Sequence, residues 1–220
     1  TVTSSAAPTA NILVSLSSSD TSEIQVPASV VLPAGQTLAP FSFTVVNDSL
    51  IDGSQLATIT AQVTNWTAGS TNIIVRDNEP TNLVVTLPAS AREGNGVLFG
   101  AGAVRIGGTL TSNLTVSLVS SDTTELTVPS AITIPAGQLL AAFDLTIMDD
   151  PDIDSSQAVT VTASAAGFSN GFTNMIVTDD ESPIEPFGPS PAHLATNVVH
   201  SAHLACQSGA VPGEIITNDV

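Results

Sequence analysis

Two alternating runs stand out along the chain. In "AAFDLTIMD" (141–149) Phe143, Leu145 and Ile147 alternate with Asp144, Thr146 and Met148. In "QAVTVTASA" (157–165) Val159 and Val161 alternate with Thr160 and Thr162. A period of two puts the apolar set on one face of a strand and the polar set on the other. Pro135-Ala-Gly137, Asp150-Pro151 and Asn170-Gly171 punctuate the runs with turn residues. The pattern predicts strands near 82–88, 102–107, 113–119, 130–134, 141–148, 157–165 and 172–178. Short alternating strands with a turn every eight to twelve residues or so predict an all-β fold of antiparallel, immunoglobulin-like sandwiches.

The pattern occurs twice. Residues 12–79 align without a gap on 114–181, and about half of the aligned positions are identical. "VSLSSSDTSEIQVPASVVLPAGQ" (14–36) and "VSLVSSDTTELTVPSAITIPAGQ" (116–138) show the match. A repeat of this length is a duplicated domain rather than a solenoid unit. Residues 80–181 are expected to form one complete sandwich and residues 1–79 a truncated one. Thr1 aligns with Ala103, so the first unit has no counterpart of residues 81–102, including the strand "NLVVTL". An unpaired edge and an open groove are the expected result. "SPIEPFGPSP" (182–191) reads as a Pro-rich linker, and 192–220 as a partial β-module or extended tail.

Charge narrows the function. Over 220 residues the net charge is −17, with no Lys and only Arg76, Arg92 and Arg105 as bases. That excludes a basic nucleic-acid footprint and a polybasic membrane patch. No apolar run reaches the length of a membrane-spanning helix, so no membrane insertion is expected. Cys206 is the single cysteine and has no partner for an internal disulfide.

The carboxylates fall at strand ends. Asp149, Asp150, Asp152 and Asp154 follow the strand ending at Met148, and Asp179, Asp180 and Glu181 follow the one ending at Thr178. One strand returns the chain between them, so both groups are predicted at the same tip of the second unit, with Glu93 and Glu125 in reach. Carboxylates gathered without Lys or Arg repel unless solvated or bridged by a cation. Their hard oxygens suit Ca²⁺, and the absence of thiolate and imidazole argues against zinc. A weaker second site is expected at Asp48, Asp52, Asp77 and Glu79, beside Arg76.

The residues "PAGQ" (135–138), Phe143, "DSSQ" (154–157), "TVTA" (160–163), Gly167-Phe168 and "VTDDE" (177–181) resemble a Calx-β domain, the module first described in sodium–calcium exchangers and common in bacterial extracellular arrays. The resemblance covers 1–181 and implies tandem seven-stranded sandwiches with Ca²⁺ at the tip. It assigns Asp149, Asp150, Asp152 and Asp154 to the acidic loop of the family. Asp179, Asp180 and Glu181 match the acidic run after its last strand, and Glu93 and Glu125 its glutamates. Two positions depart: Gln157 stands where the pattern usually has Glu, and Pro151 interrupts the run. "PSPAHLATNV" (189–198) and "GEIITNDV" (213–220) resemble the opening of a fibronectin-type or immunoglobulin-like module.

Other motifs are less specific. "GFSNG" (167–171) matches G-x-S-x-G, but it falls between predicted strands instead of opening a helix. His200, His203 and Cys206 have a metal-like spacing, yet residues three apart on a strand point to opposite faces. Asn47, Asn65 and Asn113 head glycosylation sequons of the kind a chain rich in Ser and Thr contains by chance. No aromatic platform for sugars is present, since Trp66 is the only tryptophan and aligns with Phe168. The expectation is a non-enzymatic extracellular or cell-surface module for structure or adhesion, stiffened by Ca²⁺. Its partners would be β-modules of the same or another chain and a cell-surface or polysaccharide ligand. The alternatives are an accessory binding module of a secreted enzyme, or a homo-polymer built by strand addition.

Overall fold

The computed structural model describes residues 1–181 and the backbone of three later strands. In the first repeat the strands are β1 (Val2–Thr3), β2 (Ile12–Ser18), β3 (Ile24–Gln25), β4 (Ser29–Leu32), β5 (Leu38–Ala39), β6 (Thr44–Val45), β7 (Gln55–Gln62) and β8 (Gly69–Val75). The second contains β9 (Val84–Thr86), β10 (Ser90–Arg92), β11 (Gly96–Arg105), β12 (Leu114–Ser120), β13 (Leu126–Thr127), β14 (Ala131–Ile134), β15 (Leu140–Ile147), β16 (Gln157–Ser164) and β17 (Gly171–Thr178). Strands β18 (Phe187–Ser190), β19 (Leu204–Gln207) and β20 (Ile215–Asn218) form a separate sheet. His200 and His203 lie outside the described residues. Among the described residues the protein is all-β.

The second repeat is a two-layer sandwich. One sheet has the order β10-β17-β16-β12-β14 and the other β13-β15-β11-β9. Val116, Leu118, Val159, Val161, Met175 and Val177 from the first meet Val85, Val104, Phe143, Leu145 and Ile147 from the second in one core. The alternation of "AAFDLTI" is the cause: every second side chain of β15 turns inward, and its polar neighbours face out. The pairs are antiparallel except for β10 with β17, which run parallel.

The strand expected near 82–88 is β9, on the sheet of β11, and beyond it follows a strand that was not expected, β10, on the sheet of β17. Pro88 lies between them, where its missing N–H and fixed φ favour a break in pairing. Strand β11 starts six residues before the expected 102, and its pairing with β15 shifts between Leu98 and Gly102. Three glycines in "GVLFGAG" (96–102) hide the alternation there, and Gly100 takes a φ of 60°.

The first repeat keeps the sheet β4-β2-β7-β8, but its second layer is reduced to the pairs β1-β5 and β3-β6. Its core is correspondingly split into two clusters. Between the repeats the Thr109 N–H donates to Ser49 O (2.7 Å) and the Ile51 N–H to Thr109 O (2.8 Å). Gly107 and Gly108 lie flush against Pro80, Ser49 O and Glu79, with no room for a Cβ.

Candidate metal centre

Four loops converge at one end of the second sandwich, stitched by backbone hydrogen bonds. The Glu93 N–H donates to Thr178 O (3.0 Å), the Gly94 N–H to Met148 O (3.2 Å) and the Met148 N–H to Glu125 O (2.9 Å). Gly94 makes the turn with a φ of 70°, and a Cβ there would lie 3.1 Å from Asp149 Oδ1. The loop carrying Glu125 is closed by Asp122, whose Oδ1 accepts the Thr124 N–H (3.0 Å).

These bonds position two overlapping carboxylate groups. Glu93, Glu125 and Asp154 each offer an oxygen within 4.8 Å of the others, and so do Glu93, Asp180 and Glu181. Glu93 belongs to both. It and Glu125 are each 3% exposed, although carboxylates are almost never buried without a partner. Among the described residues, five buried oxygens have no hydrogen-bond donor: both of Glu93, Oε2 of Glu125, Oδ1 of Asp180 and Oε2 of Glu181.

The electrostatics follow. Burial pushes Glu93 up to about 6, with the Glu125 charge adding to it. Burial and the hydrogen bond shared with Asp179 push Glu181 up to about 7. Burial also raises Glu125. Asp179 is shifted the other way, chiefly because its Oδ1 accepts the Glu181 N–H (2.8 Å), while Oδ2 accepts the Ser155 N–H (3.1 Å). Its carboxylate is occupied with shaping the loop.

The sequence-predicted residues therefore divide. Glu93, Glu125, Asp154, Asp180 and Glu181 are brought together, with Asp150 and Asp179 near enough for their charges to raise Glu93. Neither group includes Asp149 or Asp152; the Asp152 N–H is bonded to Asp150 Oδ1 (2.8 Å). One expectation needs correction, since a base does reach the tip: Arg92 Nη2 lies 3.4 Å from Asp180 Oδ2. That guanidinium is largely exposed and touches only the rim, so it leaves the Glu93–Glu125 interior uncompensated. Gln157 is a participant that sequence reading treated only as a departure. Its Nε2 donates to Asp154 Oδ2 (3.1 Å), steadying that carboxylate.

The corresponding end of the first repeat is different. Glu23, Asp48, Asp52, Asp77 and Glu79 line a cavity of about 160 Å³ beside Arg76. Asp77 accepts the N–H groups of Asp52 (3.1 Å), Gly53 (2.9 Å) and Glu79 (2.9 Å), as Asp179 does in the second repeat. Among the described residues no three carboxylates converge here.

"GFSNG" occupies a turn between antiparallel β16 and β17, where Ser169 O accepts the Leu83 N–H (3.0 Å). This strand–turn–strand setting differs from the strand–turn–helix of a nucleophile elbow.

No family model and no curated protein matches the sequence. Among solved structures, the chain is similar to an apo-form Calx CBD1 domain at 14% identity and a TM-score of 0.35, covering 46% of this chain and 99% of that one. It is similar to domains 4–9 of surface layer protein SbsC at 15% identity and 0.36, covering 92% of this chain and 28% of that one. A protocadherin GammaB4 extracellular domain is similar at 8% identity and 0.33, covering 76% and 26%. At these values the chemistry of the tip stands on its own carboxylates.

Proposed function

We propose that the tip of the second sandwich binds Ca²⁺ and that the chain is a non-enzymatic, extracellular structural module. The observation that carries this reading is the set of five buried carboxylate oxygens without donors among the described residues, arranged around the enclosed Glu93. Left as they are, they incur desolvation and mutual repulsion together. A divalent cation answers both. The ligands are hard oxygens drawn from four separate loops, which suits the flexible six-to-eight coordination of Ca²⁺ better than the strict octahedron of Mg²⁺. Glu93, Glu125 and Asp154 would hold an ion on one side, and Glu93, Asp180 and Glu181 on the other.

Because the ligands lie far apart in sequence, the ion would cross-link loops that are otherwise tied by a few hydrogen bonds and the Arg92–Asp180 pair. Stiffening the end of the module would be the outcome. The contact of Thr109 with Ser49 and Ile51 supports the same reading, since it joins the repeats by main-chain bonds instead of by a free linker.

Thermal unfolding tests the proposal. At about one hundred times Kd, Ca²⁺ adds about 2.7 kcal/mol to the stability of the folded state. Melting in millimolar Ca²⁺ is expected several degrees above melting in chelator, with Mg²⁺ giving a smaller shift. Coincident melts in all three would refute the proposal.

A further inference from the structure

The two carboxylate groups at the tip share Glu93 but differ in what holds their rim. Asp154 is held by a neutral amide: Gln157 Nε2 donates to Asp154 Oδ2 (3.1 Å) and to the Asp154 carbonyl (3.3 Å). Gln157 is anchored in turn, because it opens β16 and pairs with Val177. Asp180 is held by a charge. Arg92 Nη2 donates to the Asp180 carbonyl (3.3 Å) and lies 3.4 Å from Asp180 Oδ2. The backbone of Arg92 is fixed by its pairing with Thr178 and by the bond from its N–H to Asn95 Oδ1 (2.8 Å). Side chains alternate at the end of β10, so Arg92 turns out to solvent and Glu93, the next residue, turns inward. One strand end therefore brings both a buried carboxylate and an exposed guanidinium to the loop 179–181. In each aspartate the held oxygen is Oδ2, and Asp180 Oδ1 is left buried without a donor among the described residues.

We infer, on the reading that the tip binds Ca²⁺, that Gln157 and Arg92 are positioning residues that make its two ion positions unequal. Holding one oxygen of a ligand in advance removes part of the ordering cost of binding. Gln157 does this without charge, so Glu93, Glu125 and Asp154 keep their whole negative charge for the ion. Arg92 does it with a guanidinium, whose positive charge stays beside any ion held by Glu93, Asp180 and Glu181 and repels it. The Arg92–Asp180 pair is largely exposed and holds its carboxylate weakly, while a divalent ion doubles the charge product on the repulsive side. The Glu93–Glu125–Asp154 group therefore fills first and the Glu93–Asp180–Glu181 group second.

Calorimetric titration of the full, chelator-stripped chain with Ca²⁺, at neutral pH and low salt, is expected to resolve two steps. Gln157→Leu keeps the bulk of the side chain and removes its amide; it should weaken the tighter step about tenfold and draw the two steps together. Arg92→Gln removes the charge and keeps a donor; it should tighten the weaker step about threefold or more. Arg92→Lys restores the charge and should return the weaker step to its native position. Far-UV dichroism in chelator that matches the native chain shows that the variants are folded, so a change confined to one step reports on the ion. Variant isotherms superimposable on the native one, or equal weakening of both steps by Gln157→Leu, would overturn the inference. Single-step binding by the native chain would also overturn it while leaving Ca²⁺ binding intact, whereas no native binding would overturn both.

Discussion

Gly171→Ala and Gly69→Ala are the same substitution at twin positions, one at the start of β17 and the other at the start of β8. Their effects should differ in sign. At Gly171 the new methyl clashes with Leu83 O and lies 2.7 Å from Leu83 C, both backbone atoms that no rotamer change can move. Reaching an ordinary contact of about 3.5 Å requires the strand to retreat by more than an ångström. Overpacking of this kind costs about 1–3 kcal/mol. If the strand detaches instead, the core loses Leu83 and Val85, at about 1.5–3 kcal/mol for each side chain. The destabilisation is therefore bounded at about 1 kcal/mol below and about 6 kcal/mol above. At Gly69 the methyl enters open space, and replacing Gly within a strand adds about 0.5–1 kcal/mol of stability through the unfolded chain. Urea unfolding by far-UV circular dichroism, beside emission from Trp66 in the first repeat, separates the two effects. Gly171→Ala should lower the midpoint of the dichroism transition, and Gly69→Ala should leave the Trp66 midpoint unchanged or raise it. Equal destabilisation by both would refute the asymmetry between the repeats.

Acid dependence should invert with Ca²⁺. In chelator, Glu93 and Glu181 have folded-state values raised above 4.5, so their contribution is present below about 4.5 and is lost as pH rises through about 6 to 7. Asp77, Asp122 and Asp179 are depressed below 3.8, so their contribution is lost on further acidification. The melting temperature in chelator should thus peak between pH 4 and 5 or so, and shift to neutral pH when Ca²⁺ is saturating. Ser155 has a φ of 70° where its twin Gly53 has 78°, and Ser155→Gly should add about 1 kcal/mol in urea titrations at saturating Ca²⁺. Asp77→Asn with Glu79→Gln should leave the Ca²⁺ stoichiometry unchanged, read by equilibrium dialysis.

The strands were legible because burial in a sandwich has the period of the pleat: Phe143, Leu145 and Ile147 turn inward as their spacing implies. The limit of that signal is visible in the first repeat. Phe41, Phe43 and Val45 have the same spacing, yet Phe43 and Val45 are exposed, because burial also needs a strand on the neighbouring edge. Trp66 likewise aligns with Phe168, which packs on the core, but flanks an open cleft. At the tip, strand direction was enough to gather the acidic loops. It gave no sign that the run 149–154 would contribute Asp154 more directly than Asp149 or Asp152, which depends on the turn at Ser155 and the amide of Gln157. Nor does composition reveal that two glutamates are enclosed while the aspartates stay near solvent. For Glu93 that arises from β10 crossing to pair in parallel with β17, whereas Glu125 is enclosed as its twin Glu23 is (7% exposed), in a repeat without that strand.

The central claim is that a cation completes the tip of the second sandwich through Glu93. Isothermal calorimetry with Ca²⁺, on chelator-stripped protein and on Glu93→Gln, tests it most directly. Glu93→Gln retains the shape of the side chain and removes the charge shared by both carboxylate groups. Saturable binding by the native chain, abolished or weakened at least tenfold by the substitution, is the predicted result. Superimposable isotherms, or no heat from either protein and no rise in melting temperature, would contradict it.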